Sequence, residues 1–261
     1  MTLPTPKRDL GQHFLVDENI LGVIGRLAEL RSDDVALEIG PGPGALTEYL
    51  ADRVAEVHAV ELDRRLEPYL TERFGERSNV HIRFDDALSL DPAELEPPPT
   101  KLVSNLPYSV ATPIVVESLD RFPTVGHWGV MVQREVADRF FAEPRTKAYG
   151  GVSVLVQLMT ERTGFHPVSR TVFRPRPNVD SALVAFRRRP QPPPVRWPEL
   201  KRVVEAAFAH RRKRLPNSLE LAGVADREHA AAALATIGRS EQTRAEELEP
   251  QEFVELAAAL A

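Results

Sequence analysis

The chain has 261 residues, 43% of them hydrophobic and 27% charged, enough to bury a substantial core in one large domain with a smaller one beside it. It contains no cysteine, which excludes disulfides and thiolate metal sites and fits a cytoplasmic address; no metal site of any kind is expected. Residues Met1 to Leu10 mix prolines with Lys7 and Arg8 rather than forming an apolar leader, and no run approaches the roughly 18 apolar residues of a membrane span, so no membrane partner is expected.

The net charge of −5 argues against a polyphosphate partner, whose affinity comes largely from Lys and Arg displacing counterions. The charge is unevenly spread, however. Between Glu161 and Arg214 fourteen Lys or Arg stand against four acids, a local balance of +10 that leaves −15 for the rest. The runs Arg187 to Arg189 and Arg211 to Arg214 read either as solvated faces or as part of a nucleic-acid footprint.

From Val35 to about Arg189, short apolar runs alternate with amphipathic stretches, the pattern of a doubly wound, mostly parallel α/β sheet. Strands are predicted at 35–38, 56–60, 80–84, 101–104, 128–133 and 182–187. Helices are predicted at 45–53, 64–74, 113–119, 135–141 and 151–160. The proline-rich stretch 187–198 then reads as a stiff linker. The predicted division is a domain at 1–190 followed by a small helical domain at 191–261, with helices at 199–209, 227–237 and 251–260.

The first strand ends in Gly40-Pro41-Gly42-Pro43-Gly44 and runs into a helix. Such a turn lets the backbone approach a ligand closely, but it is shared by nicotinamide and flavin enzymes, methyltransferases and structural turns. Glu61, at the end of the second strand, is placed to accept from both hydroxyls of a cofactor ribose; a surface glutamate is the plainer alternative. Asp86, or its neighbour Asp85, after the third strand is a candidate acceptor for an adenine amine.

Asn105-Leu106-Pro107-Tyr108 follows the fourth strand, where ligands meet the carboxyl edge of an open α/β sheet. An Asn-x-Pro turn with a core tyrosine is the structural alternative. As chemistry it suits methylation of an adenine amine, a poor nucleophile because its lone pair is delocalised into the ring. The Asn105 carbonyl and a backbone carbonyl beside Pro107 would accept from the amine and localise that pair, while Tyr108 offers a stacking face for a flipped base. Transfer from a sulfonium donor would then rest on proximity and aimed dipoles, with no dedicated base.

Taken together and in order, these motifs resemble the ribosomal RNA small-subunit adenine N6,N6-dimethyltransferase family, the KsgA type. Further segments carry the likeness along nearly the whole chain: Gly11-Gln-His-Phe-Leu15, Gln133 to Ala137, Lys147-Ala-Tyr-Gly150, Phe173-Arg-Pro-Arg-Pro-Asn-Val-Asp-Ser181 and Ala209 to Ser218. The resemblance implies a Rossmann-like class I methyltransferase domain with S-adenosylmethionine as cofactor. His13 and Leu15 would contact it, along with Gly40, Gly42, Glu61, Asp86 and Asn105. Phe173, held by Pro175 and Pro177, is read as the second wall of a base slot opposite Tyr108, although it also suits a core position.

Arg174 and Arg176 would reach phosphates beside the flipped nucleotide, and Arg211, Arg212 and Lys213 would touch RNA from the helical domain. The implied reaction gives N6,N6-dimethyladenosine at two adjacent adenosines in the 3'-terminal hairpin of 16S rRNA, within a ribosomal assembly intermediate, by a monomeric enzyme. Large-subunit methylation of the erythromycin-resistance type and a non-catalytic assembly role are the alternatives. A nicotinamide dehydrogenase explains the glycine turn and Glu61 but not the Asn105 motif or the basic C-terminal half.

Overall fold

The structure, a computed structural model, describes residues 5–6 and 12–261. Lys7, Arg8 and Gly11 of the N-terminal motif lie outside the described residues. In chain order the elements are β1 (Phe14–Leu15), α1 (Glu18–Leu27), β2 (Val35–Ile39), α2 (Ala45–Ala51), β3 (Glu56–Glu61), α3 (Glu67–Phe74), β4 (Val80–Phe84), β5 (Lys101–Asn105), α4 (Ala111–Arg121), β6 (His127–Gln133), α5 (Arg134–Phe140), α6 (Gly151–Met159), β7 (Thr160–Val168), β8 (Phe173–Arg174), β9 (Ser181–Arg188), α7 (Trp197–Ala209), α8 (Leu215–Leu221), α9 (Arg227–Thr236) and α10 (Pro250–Ala259). No described helix is long and apolar enough to cross a membrane.

One seven-stranded sheet organises the larger unit, in the order β4-β3-β2-β5-β6-β9-β7. The pairs β4/β3, β3/β2, β2/β5 and β5/β6 are parallel, whereas β9 returns antiparallel on β6. Each residue of β2, Val-Ala-Leu-Glu-Ile, is buried, as expected of a central parallel strand covered on both faces. A separate two-stranded ribbon pairs β1 with β8. This is the expected Rossmann-like α/β architecture. The elements absent from the sequence reading are α1, α8, β7 and the β1/β8 ribbon.

The chain divides into two compact units, one of residues 1–137 with 162–188 and one of 138–161 with 189–261. The smaller unit thus takes in residues 138–161, which the sequence reading placed at 1–190, together with the C-terminal helices. The reason is packing inside the helical unit. Tyr149 is fully buried, donates to the Leu248 carbonyl at 2.8 Å and meets Phe208 edge-on, while Phe208 stacks on Phe253.

Two members of the basic runs are spent on structure. The Arg188 guanidinium donates to the carbonyls of Val125, Leu119 and Phe122 at 2.8–3.0 Å and lies over the Trp128 ring, so it closes the C-terminal end of α4, where helix carbonyls lack partners. Arg189 donates to the carbonyls of Gln157 and Thr160. Arg188→Ala is expected to lower the unfolding free energy by about 2–4 kcal/mol, since charged donors to buried carbonyls are lost together. Urea melts check this; a loss within about 0.5 kcal/mol would return Arg188 to the solvated surface.

Candidate cofactor and catalytic site

A cavity opens at the carboxyl ends of β2, β3, β4 and β5, the edge at which open α/β sheets take ligands. Its floor is the turn after β2. Gly40 and Gly42 adopt φ of +74° and +56°, left-handed values that favour glycine, and each lies under a neighbour: a Cβ on Gly40 would meet Pro107 Cγ at 3.2 Å, and one on Gly42 would meet the Phe14 ring at 3.0 Å. Residues 12–15 thus sit close above the turn.

That segment is fastened from several sides. Gln12 Nε2 donates to Asp63, the His13 carbonyl accepts from Asn105 Nδ2 at 3.1 Å, and the His13 ring is 2.7 Å from the Pro175 carbonyl. A carbonyl only accepts, so His13 Nδ1 carries the hydrogen. Phe14 and Leu15 pair with Arg174 and Phe173 across the ribbon. Asp63 is itself held at about 2, well below the carboxylate range, chiefly by the Arg65 guanidinium, with Gln12 adding to the effect.

The electrostatics of the cavity are one-sided. Glu38, Glu61, Asp85 and Asp86 line it, and no Lys or Arg does so among the described residues. Glu61 accepts from the backbone of Asp63 at 2.8 Å and of Gly42 at 3.1 Å; burial pushes its carboxyl up, and those two N–H groups oppose the shift. Burial pushes Glu38 up to about 8, against the Thr47 hydroxyl that donates to it at 2.6 Å. Asp86 accepts from Leu88 N and Asp85 from Asp86 N, which orients both carboxylates after β4. Such a lining offers no cationic partner to a diphosphate among the described residues and supplies acceptors for a ligand with positive charge, hydroxyls and an amine to donate.

Asn105 ends β5 at the cavity wall. Because its Nδ2 is committed to His13, its Oδ1 is turned to act as an acceptor. The Pro107 carbonyl receives Val110 N–H, which leaves the Leu106 carbonyl as the backbone acceptor of the motif. Tyr108 lies with its ring centroid 5.4 Å from that of His13, and its hydroxyl is 2.6 Å from Ser181 Oγ; burial pushes the phenol up.

His13, Leu15, Gly40, Gly42, Glu61, Asp86, Asn105, Pro107 and Tyr108 are therefore gathered at one cavity. Phe173 is not. It is fully buried in the hydrophobic core with Leu15, Ile24, Met131 and Leu183, because the β1/β8 ribbon turns its side chain inward; the expectation of a second stacking wall is corrected accordingly. Arg174 and Arg176 are exposed near the ribbon. Arg211 departs from expectation, since its guanidinium binds Glu246 and the carbonyls of Thr146 and Lys147, all within the helical unit. Arg212 and Lys213 are exposed, with no ion pair or side-chain hydrogen bond to other described residues.

Sequence reasoning missed Leu62, an apolar rim residue that is 57% exposed, and Ser181. Neither carries a signal by itself, since an apolar residue after a strand reads as core and a serine before one as a turn.

Glu38 supplies a test independent of any ligand. Its folded value of about 8 lies above the ordinary 4.5, so its stabilising contribution is complete below 4.5 and is lost as the pH rises through 8. The slope approaches ~1.4 kcal/mol per pH unit between those limits. Urea unfolding of the ligand-free protein over that window should show the decline, and Glu38→Gln should flatten it. An identical slope in the variant would remove Glu38 as the cause.

The sequence model of the ribosomal RNA adenine dimethylase family matches residues 5–261. The chain is 47% identical over 253 residues to the ribosomal RNA small subunit methyltransferase A of Rubrobacter xylanophilus, covering 97% of this chain and 94% of that one. It is 43% identical to the protein of the same name from Streptococcus pneumoniae, covering 98% and 92%. Among solved structures, a dimethyladenosine transferase from Plasmodium falciparum superposes with a TM-score of 0.78 over 94% of this chain and 96% of that one at 22% identity, which speaks for the fold. The 23S rRNA methyltransferase ErmE superposes at 0.66 with 31% identity, covering 95% and 99%. With a match that runs from residue 5 to the last residue and relatives near half identity along their length, the chain belongs to the ribosomal RNA adenine dimethylase family.

Proposed function

We propose that this protein transfers methyl groups from S-adenosylmethionine to N6 of two adjacent adenosines in the 3'-terminal hairpin of 16S rRNA, giving N6,N6-dimethyladenosine. The observation that carries the reading is a cavity lined by four carboxylates and no described Lys or Arg, with the Asn105 motif at its wall. A sulfonium cofactor suits that lining; a nicotinamide dinucleotide does not. Identity of 47% to a small-subunit methyltransferase, against 31% to ErmE, supports the small subunit as the source of substrate. The substrate form we propose is an assembly intermediate, modified by a monomer in the cytoplasm.

The residues divide the work. Glu61 would exchange one of its backbone donors for the ribose hydroxyls, Asp86 would accept from the cofactor's adenine amine, and Leu62 would cover that ring. Gly40 and Gly42 give the cofactor access to the backbone. When bound, S-adenosylmethionine supplies an electrophilic methyl group on a positively charged sulfur. Asn105 Oδ1 and the Leu106 carbonyl would accept the two N–H bonds of the target amine and turn its lone pair towards that methyl; as the nitrogen–carbon bond forms, the sulfur–methyl bond would break with its electrons left on sulfur, and the N6 proton would leave to solvent. Tyr108 stacks on the flipped base, and positioning supplies most of the rate. Arg174, Arg176, Arg212 and Lys213 are proposed as phosphate contacts.

The deciding experiment is tritium transfer from labelled S-adenosylmethionine to small ribosomal subunits lacking adenine dimethylation, with large subunits in parallel and nuclease mapping of the product. Adjacent dimethyladenosines in the small subunit are expected. Label confined to the large subunit would move the assignment to the resistance type, and cofactor binding without label would favour a non-catalytic role. Asn105→Ala should abolish transfer while leaving the thermal unfolding profile in place; undiminished turnover by the folded variant would remove the role given to Asn105. Replacing Arg212 and Lys213 by Glu should weaken rRNA binding roughly tenfold or more at moderate salt and reduce its salt dependence. Arg211→Ala should instead lower the melting temperature, so equal RNA defects in both variants would contradict the division made here.

A further inference from the structure

Tyr108 is held at both ends. Its backbone lies in the turn closed by Val110 N–H on the Pro107 carbonyl, and its hydroxyl is 2.6 Å from Ser181 Oγ. Ser181 is 1% exposed and opens β9 opposite Gln133 of β6, so its side chain projects from a fixed point of the sheet rather than from a loose loop. The same short segment, six residues earlier, offers the Pro175 carbonyl to the His13 ring. Residues 175 and 181 thus fix the two rings whose centroids lie 5.4 Å apart at the cavity wall.

We propose that Ser181 is a positioning residue that acts through Tyr108, and that it matters most for the second methyl transferred to the same nitrogen. The inference rests on the dimethylation reading and adds which residue governs its second step. In the first transfer the amine has two N–H bonds, and Asn105 Oδ1 and the Leu106 carbonyl hold both. In the second the nitrogen already carries one methyl and has a single N–H, so one of the two acceptors no longer holds it. The direction of the lone pair then depends more heavily on the plane of the base, which Tyr108 sets by stacking. A ring freed from Ser181 has more room to turn, and the step that leans on the ring loses more.

The test is single-turnover methylation of undermethylated small subunits, with monomethyl- and dimethyladenosine separated after nuclease digestion. Ser181→Ala should raise the ratio of mono- to dimethyladenosine at equal total label by roughly three- to tenfold, the value of one hydrogen bond. Tyr108→Phe keeps the ring, removes the same bond from the other side and should give the same ratio. The double variant should be no worse than either single one, because both delete one interaction. Ser181→Thr, which keeps the hydroxyl, should restore the ratio.

Equal slowing of both transfers with an unchanged ratio would overturn the proposal and leave Ser181 a structural residue, as would additive losses in the double variant. Because Tyr108→Phe leaves the sequence of β9 unaltered, it decides the matter even if Ser181→Ala unfolds. Wild-type protein that methylates no rRNA would instead overturn the reaction itself, and is seen before any variant is made.

Discussion

The hydrogen bond from Asn105 Nδ2 to the His13 carbonyl determines how the rest of the site can work. An amide side chain is ambivalent, carrying donors and an acceptor a bond apart, and only the commitment of the nitrogen makes the oxygen a dedicated acceptor. The same bond ties the Asn105 motif at the end of β5 to a chain segment 92 residues earlier. That segment in turn rests on the glycine turn after β2, reaches Asp63 through Gln12 and joins the ribbon through β1. Floor, wall and cover of the cavity are thereby one connected unit, and a displacement of residues 12–15 changes the acceptor geometry at Asn105 directly.

Charge is sorted with comparable economy. Carboxylates collect where a cationic cofactor is proposed to lie, and burial pushes two of them, Glu38 and Glu61, up. Arginines collect later in the chain, but their number overstates any RNA footprint. Arg188, Arg189 and Arg211 each bind two or more main-chain carbonyls, using the planar fork that suits arginine to multiple acceptors. Arg174, Arg176, Arg212 and Lys213 remain exposed.

Much of the sheet was legible because parallel central strands are buried on both faces and read as short apolar runs; β4 was predicted at its observed limits and β2, β3, β5, β6 and β9 within two residues. The edge strand β7 was not, since Thr-Glu-Arg-Thr-Gly-Phe-His-Pro-Val has neither an apolar run nor clean alternation, and is largely half-exposed. Helix α1 was hidden by Gly22 and Gly25. The latter is explained only by tertiary packing, because a Cβ there would overlap the Tyr49 ring. At the site, the residues singled out by motif order line one cavity. Phe173 and Arg211 failed for a shared reason: side-chain type tells what a residue can do, while the facing of a two-residue strand or the nearness of Glu246 is settled by contacts far away in sequence.

The strand order also has a consequence for how the protein is made. Strand β9 lies between β6 and β7, although it is the last of the three to be synthesised. Until it arrives, β6 has a partner only on its β5 side and presents an open edge whose residues are, in the finished fold, nearly all buried. At translation rates of roughly 5–20 residues per second, the roughly 50 residues from the end of β6 to the start of β9 leave that edge unpaired for some seconds on each nascent chain. Any factor that slows elongation in this interval prolongs the exposure of a template for strand-to-strand aggregation. The interval in which residues 134–188 are made is therefore the one in which β6 lacks its second neighbour.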